Sequence, residues 1–241
     1  MEHADAEILR LSAEEFFHKF RHPLLSARKR LETLARSVGP EQVEDIRRDL
    51  DMMDTMLQRA QTNNWLLAHD GHARMTLVKS VQLTRAVEEA VRAASALADH
   101  PEAARFVFDR DSFMQAAPHV WTDEQLFQAA LGNILDNARK YSFDATIVHI
   151  AARRSQERSL QIEVADKGIA LPADDLVRCR ERGWRSETAL RHTDKGLGVG
   201  LWLTDRILRT IDAQLLIAPT DAAGITRFTI SLPIDPPRRE G

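Results

Sequence analysis

Three short stretches in the C-terminal two-thirds of the chain carry residue types that suit a polyphosphate and its cation. In "LFQAALGNILDNARKYS", Phe127, Leu131, Ile134 and Ala138 recur at helical spacing, so Asn133, Asn137 and Lys140, at offsets of 4 and 3, share another face of that helix. An amide oxygen is a hard ligand suited to magnesium, and an ammonium beside it neutralises phosphate oxygens. Tyr141, one position further round, could cover a planar base; taken alone, the strip is also an ordinary solvated helix face. In "LQIEVADKGIALP", counting by twos from Leu160 through Ile162 and Val164 puts Asp166 on the apolar face of a strand, just before a turn at Gly168. A carboxylate held there needs a donor; the exocyclic amine of adenine is one candidate, and the capping of a turn is the plainer one. In "DKGLGVGLWLTDRIL", Gly196, Gly198 and Gly200 open into a helix with Leu203 and Ile207 on its inner face, and the free N–H groups of such a helix start suit phosphate. The G-x-G-x-G spacing is not the dinucleotide fingerprint and no strand runs directly into it, which disfavours a Rossmann fold.

A fourth stretch, "FFHKFRHPLLSA", sits far upstream. Its flanks are helical in pattern, yet Pro23 interrupts it, and His18 and His22 stand four residues apart just before the proline.

The elements that must position these residues divide the chain by periodicity. Phe20, Leu24, Ala27, Leu31 and Leu34 make a heptad seam; Gly39 and Pro40 supply a stop and a start; Val43, Ile46, Leu50, Met53, Leu57 and Ala60 then repeat the alternation. Two long helices joined by a short turn predict an antiparallel hairpin. Its apolar face is too wide to stand alone, and pairing two copies into a four-helix bundle predicts a homodimer. From about residue 75 the pattern shortens: "FVFD", "ATIVHIAA", "LQIEVAD", "AQLLIAP" and "ITRFTISLP" read as strands, with helices at about 81–98, 122–141 and 199–211. The fold class expected is α+β, an N-terminal helical hairpin plus a C-terminal α/β sandwich. A charged, glycine-containing stretch at about 173–197 has no apolar period and reads as a long mobile lid.

Composition narrows the function classes. With 33 basic and 36 acidic residues the formal charge is −3, so no global field favours nucleic acid or an anionic membrane. The one cysteine, Cys179, excludes a disulfide framework and a cysteine-based zinc cluster, and reads as a lone thiol in or before the lid. No apolar run approaches the roughly 20 residues that span a bilayer, and the acidic N-terminus is unlike a secretory signal, so a cytoplasmic chain is expected. His69 and His72, in "AHDGHARM", read as linker residues rather than metal ligands, and His149 as the outward face of a strand.

The asparagine helix, the Asp-x-Gly turn, the lid and the second glycine box, in this order, resemble the nucleotide-binding domain shared by sensor histidine kinases, gyrase-type and MutL-type ATPases and Hsp90 chaperones. "NILDNARKYS" looks like the kinase N-box, "DKGIALP" its first glycine box, "KGLGVGL" its second, and "RERGWRS" the segment opening its lid. With the hairpin, the resemblance to a sensor histidine kinase core covers about residues 10–235. It implies residues 1–68 as the dimerisation and phosphotransfer hairpin, 69–80 as linker, and 81–236 as an ATP-binding catalytic domain of Bergerat type with a mixed sheet. It further implies ATP and Mg²⁺ as cofactors, with a response regulator receiver domain and an upstream sensory region as partners. Asp166 would read adenine, and Gly168 would shape the turn beside it. Asn133 and Asn137 would line the site, with Asn137 the Mg²⁺ ligand. Lys140 and the backbone from Gly196 and Leu197 through Gly198 and Gly200 to Leu201 would meet phosphates. Read from the residues alone, Trp184, Arg182 and Arg185 suit either a cover over the nucleotide or a docking patch.

Hydrolysing members of that superfamily carry a glutamate where this chain has Asn133, because a general base must activate water. An amide cannot take that proton, which argues for holding ATP until another nucleophile arrives. The kinase box H-E-x-x-T-P-L aligns with "HKFRHPL" through Pro23 and Leu24, which makes His18 the phosphoacceptor. Pro23 would bend the helix beside it. Lys19 stands where the family has a carboxylate, and His22 where it often has Thr or Asn; His22 is then a candidate base or alternative acceptor. Ala170 is a further departure, which stiffens the first glycine box. The alternatives are a degenerate kinase serving as a phosphotransfer dimer or scaffold, and an ATPase of the same superfamily, which Asn133 opposes.

Overall fold

The structure, a computed structural model, describes residues 23–44, 46–47, the single positions 50, 53, 57, 61 and 64, and residues 78–234 apart from 97–104, 156–158 and 194–197. His18, Lys19 and His22 lie outside the described residues, as do His69, His72, Gly196 and Leu197. The chain forms two compact units, Met1–Gly71 and His72–Gly241.

In the first unit, residues 23–38 are helical (α1), Pro23 included. The helix stops at Gly39, whose φ of 97° is open chiefly to glycine and whose N–H returns to Ala35 O at 3.1 Å. Pro40 begins the 3₁₀ turn Pro40–Val43, and the described positions from 44 to 64 are helical (α2). Along α1 the covered stripe is Leu24, Ala27, Leu31 and Ala35. Leu34, expected on the seam, is exposed together with Ile46 and Met53.

The second unit has two sheets. Strands β1 (Lys79–Gln82) and β3 (His119–Thr122) pair antiparallel as a small ribbon. The main sheet runs β2-β4-β5-β7-β6, formed by β2 (Arg105–Phe108), β4 (Ile147–Arg154), β5 (Ser159–Lys167), β6 (Gln214–Ala218) and β7 (Ile225–Pro233). It is mixed, since β2 and β4 are parallel and the other neighbours antiparallel. Strict alternation along β5 and β7 buries Leu160, Ile162, Val164, Phe228, Ile230 and Leu232 on one face. The helices α3 (Leu83–Ala96), α5 (Glu124–Tyr141) and α7 (Gly200–Thr210) supply the apolar residues Val87, Phe127, Leu131, Ile134, Leu203 and Ile207 to the core. The start of α5 is fixed by Asp123, whose Oδ1 accepts from Gln125 N and Leu126 N at 3.0 and 3.1 Å. This is the α+β fold that the pattern predicts, with the mixed sheet that the resemblance implies.

Four short elements are not predicted from the sequence: the ribbon strands β1 and β3, helix α4 (Arg110–Ala116) and helix α6 (Glu187–His192). The strands have four residues each, two alternations, and their residues were legible only as flanks of the adjoining helices. The stretch expected as one continuous mobile loop also differs. Two 3₁₀ turns, Ala173–Asp175 and Arg178–Arg180, fold its first half down. Cys179 is buried there, Arg180 donates to Leu215 O at 3.0 Å, and its guanidinium lies 3.6 Å from Asp205 of α7.

Candidate nucleotide-binding site

The C-terminal half of α5 is where the separate stretches meet. Asn133, Asn137 and Lys140 do share a half-buried strip, and Asp136, one residue from Asn137, belongs to it. On one side the end of α5 docks against the end of β5. Ile169 N donates to Tyr141 O at 2.9 Å, Phe143 N donates to Lys167 O at 3.0 Å, and Ser142 bridges to Gly168. The approach is so close that a Cβ on Gly168 would lie 2.0 Å from Tyr141 O. Glycine is needed there for proximity, since its φ is not in the left-handed region.

That docking places Asp166 at the floor of the site. The residue is 4% exposed and its Oδ2 accepts from Ser142 Oγ at 3.4 Å. Burial pushes its carboxyl up to about 6, an effect that the Ser142 hydroxyl only partly offsets. Across the sheet Asp166 pairs with Thr226, also buried. The Thr226 and Thr220 hydroxyls are 2.7 Å apart, and Thr220 Oγ1 accepts from Leu171 N at 2.7 Å, so the chain leaving Gly168 is tied to the β6–β7 connection. Ser142, Thr226 and Asp136 went unnoticed in the sequence. A helix C-cap, one residue of an alternating strand and one charge on a polar face carry no local signal.

On the other side α7 begins beside Asn137, where a Cβ on Gly200 would make ordinary contact at 3.6 Å with Asn137 Oδ1. Val199 caps α7 without any side-chain hydrogen bond, so among the described residues the first N–H groups of this helix have no side-chain acceptor. Gly198 has φ 68°, and a Cβ there would lie 2.7 Å from Gly183 C and Trp184 O; its own carbonyl accepts from Gly183 N at 3.0 Å. Gly183 and Gly198 therefore pinch together an excursion of the chain within the stretch expected as a lid. Arg185 stays inside that excursion, donating to Ala189 O at 3.2 Å and to Thr193 O. The Arg178 guanidinium lies over Trp184, and those of Arg182 and Arg206 over Trp202.

The donor set fits a nucleotide and a hard cation. Asn133 Nδ2 is buried with no hydrogen-bond partner among the described residues, a donor awaiting an acceptor. Asn137 offers an amide oxygen at the mouth of a helix start, with Lys140 one turn on. Among the described residues no group of three or more His, Cys, Asp or Glu gathers as a metal centre of its own. Burial pushes the Cys179 thiol up to about 11, which disfavours the nucleophilic thiolate. His149 is exposed on β4, and no described helix is long and apolar enough to cross a membrane.

Residues 122–236, within the second unit, match the family of histidine kinase-, DNA gyrase B-, and HSP90-like ATPases. Sensor histidine kinase Hik2 of Thermosynechococcus vestitus is 26% identical over 228 residues, covering 91% of this chain and 58% of the relative. The sensor-like histidine kinase SenX3 of Mycolicibacterium smegmatis is 30% identical over 166 residues, covering 68% of this chain and 41% of that protein. The chain thus spans roughly half the length of these relatives. In fold it resembles the solved mycobacterial sensor histidine kinase MprB, with a TM-score of 0.55 at 21% identity over 67% of this chain and all of that one.

Proposed function

We propose that the chain is the core of an ATP-dependent protein-histidine kinase of a two-component system, which autophosphorylates His18 and passes the phosphoryl group to an aspartate of a response regulator. The observation that carries this reading is the convergence of Asp166, the Asn133–Asn137–Lys140 strip and the uncapped start of α7 around one half-helix. Asp166 would accept from the adenine amine, Asn137 would hold Mg²⁺, and Lys140 with the backbone around Gly196, Gly198 and Gly200 would meet the phosphates. Bound there, the cation would supply shielding of the charge on the phosphate oxygens. A neutral imidazole nitrogen of His18 forms a bond to the γ-phosphorus while the bond from that phosphorus to the bridging oxygen breaks and ADP leaves. The imidazole proton needs an acceptor, and with Lys19 in the usual carboxylate position His22 is the candidate. Asn133, unable to act as base toward water, leaves ATP intact until the histidine arrives.

On this reading residues 1–68 are the dimerisation and phosphotransfer hairpin, 69–80 a linker, and 81–236 the catalytic domain, in a chain working in the cytoplasm under an upstream sensory region. The exposed Leu34, Ile46 and Met53 of the first unit support a homodimer, since a second copy would cover them. The test is incubation with γ-labelled ATP and Mg²⁺. Acid-labile, base-stable label is expected in wild type and lost in His18→Ala. Label surviving in His18→Ala but lost in His22→Ala moves the acceptor to His22. A wild type that binds nucleotide and takes no label is a scaffold instead.

A further inference from the structure

Asp136 holds two cations at once. Its Oδ1 accepts from Arg139 Nη2 at 2.9 Å and its Oδ2 from Lys140 Nζ at 2.5 Å, with all three side chains mostly buried at 24, 13 and 22% exposure. A carboxylate that accepts from a guanidinium and an ammonium at once is an anion. A lysine on a helix surface ordinarily keeps the freedom of four side-chain torsions and loses it only on meeting a ligand. Here one of its three N–H donors is already committed to Asp136, from i to i+4 along α5, and two remain. Asn137, on the same strip of α5, lies beside the start of α7, where a Cβ on Gly200 would fall 3.6 Å from its Oδ1.

We propose that Asp136 is a positioning residue of the nucleotide site, which pre-orients the Lys140 ammonium so that its remaining donors meet nucleotide phosphate without a further ordering cost. The inference rests on the nucleotide-site reading above and adds to it the origin of the phosphate affinity. Its physical signature is a sign. Asp136 is negative, so removing its charge strengthens phosphate binding if charge alone matters. Loss of pre-orientation weakens it.

The test is calorimetry or fluorescence titration of the full chain with Mg²⁺–ADP and with adenosine, for wild type, Asp136→Asn, Lys140→Met and the double variant. Coupled neighbours differ from additivity by enough to change affinity about three- to tenfold. The expected result is ADP affinity about three- to tenfold lower in Asp136→Asn, adenosine affinity unchanged, and no further loss when Asp136→Asn is added to Lys140→Met. ADP affinity that rises or stays constant in Asp136→Asn overturns the proposal, as does an equal loss for adenosine, which would mark a merely structural role. Full additivity with Lys140→Met overturns it too. Wild type that binds neither ligand refutes the nucleotide site itself, a separate outcome.

Discussion

Replacing Asp166 by asparagine should stabilise the nucleotide-free protein, although the residue sits at the heart of the site. Asp166 is 4% exposed, and among the described residues its one side-chain donor is Ser142 at 3.4 Å, a long hydrogen bond. A carboxyl near 6 in the folded chain and at 3.8 ordinarily carries an ionisation cost of about 3 kcal/mol at neutral pH. The folded state binds the proton more tightly than the unfolded one. Stability is thus highest below 3.8, falls as pH rises through 3.8 to about 6, and stays reduced above that window. Asparagine has the same shape and no charge, and the burial of its amide takes back part of the gain. Asp166→Asn should then exceed wild type by about 1–3 kcal/mol at pH 7.5, with the gap closing towards pH 4. Urea unfolding at a series of pH values measures it; three of the four tryptophans, Trp121, Trp184 and Trp202, report on the unit concerned. Comparing the two proteins at each pH cancels the other titrating groups. A variant less stable than wild type at pH 7.5, or a gap constant across the window, refutes the reasoning. The same variant should bind ADP about tenfold or more weakly, because a charged acceptor is lost; stability is given up here for recognition.

Three further outcomes follow from geometry. Gly168→Ala forces a Cβ to 2.0 Å from Tyr141 O and should lose about 3 kcal/mol or more in urea unfolding, through overpacking and the broken α5–β5 hydrogen bonds; a loss below about 0.5 kcal/mol contradicts it. Gly198→Ala combines φ 68° with a 2.7 Å approach to Gly183 C, and should cost about 1–3 kcal/mol and speed proteolytic cleavage between residues 184 and 197. Cys179, with its thiol near 11 rather than 9.0, should alkylate about a hundredfold more slowly at pH 8 than an ordinary thiol, and at the ordinary rate once urea unfolds the chain.

The long elements were legible because period and burial coincide in them. Leu160 to Val164 alternates in sequence and burial alternates on to Asp166, and the α5 stripe of Phe127, Leu131, Ile134 and Ala138 is buried as its spacing predicts. The three chemical stretches were legible too, since each needs particular residue types at fixed offsets. Contacts between elements were not. Gly168 looks like a turn glycine until β5 is seen to end against Tyr141, and Asp136 looks solvated until Arg139 and Lys140 fold onto it. The first half of the lid lacks an apolar period because it is held by single anchors, Cys179 in a buried niche and Arg180 on Leu215 O and Asp205. Leu34 follows the heptad rule, yet the stripe covered within one chain shifts to Ala35. Heptad spacing marks apolar positions without saying which partner covers them.

The proposed kinase reading differs from that of a hydrolase in where the γ-phosphoryl group goes. Asn133 supplies no base for water, and Asn133 Nδ2 offers only a donor. A single-turnover rapid quench with γ-labelled ATP and excess protein therefore tests the central claim most directly, by comparing label retained on His18 with free phosphate. Most of the label consumed should be found on the protein, at His18. Phosphate released while the protein stays unlabelled would contradict it.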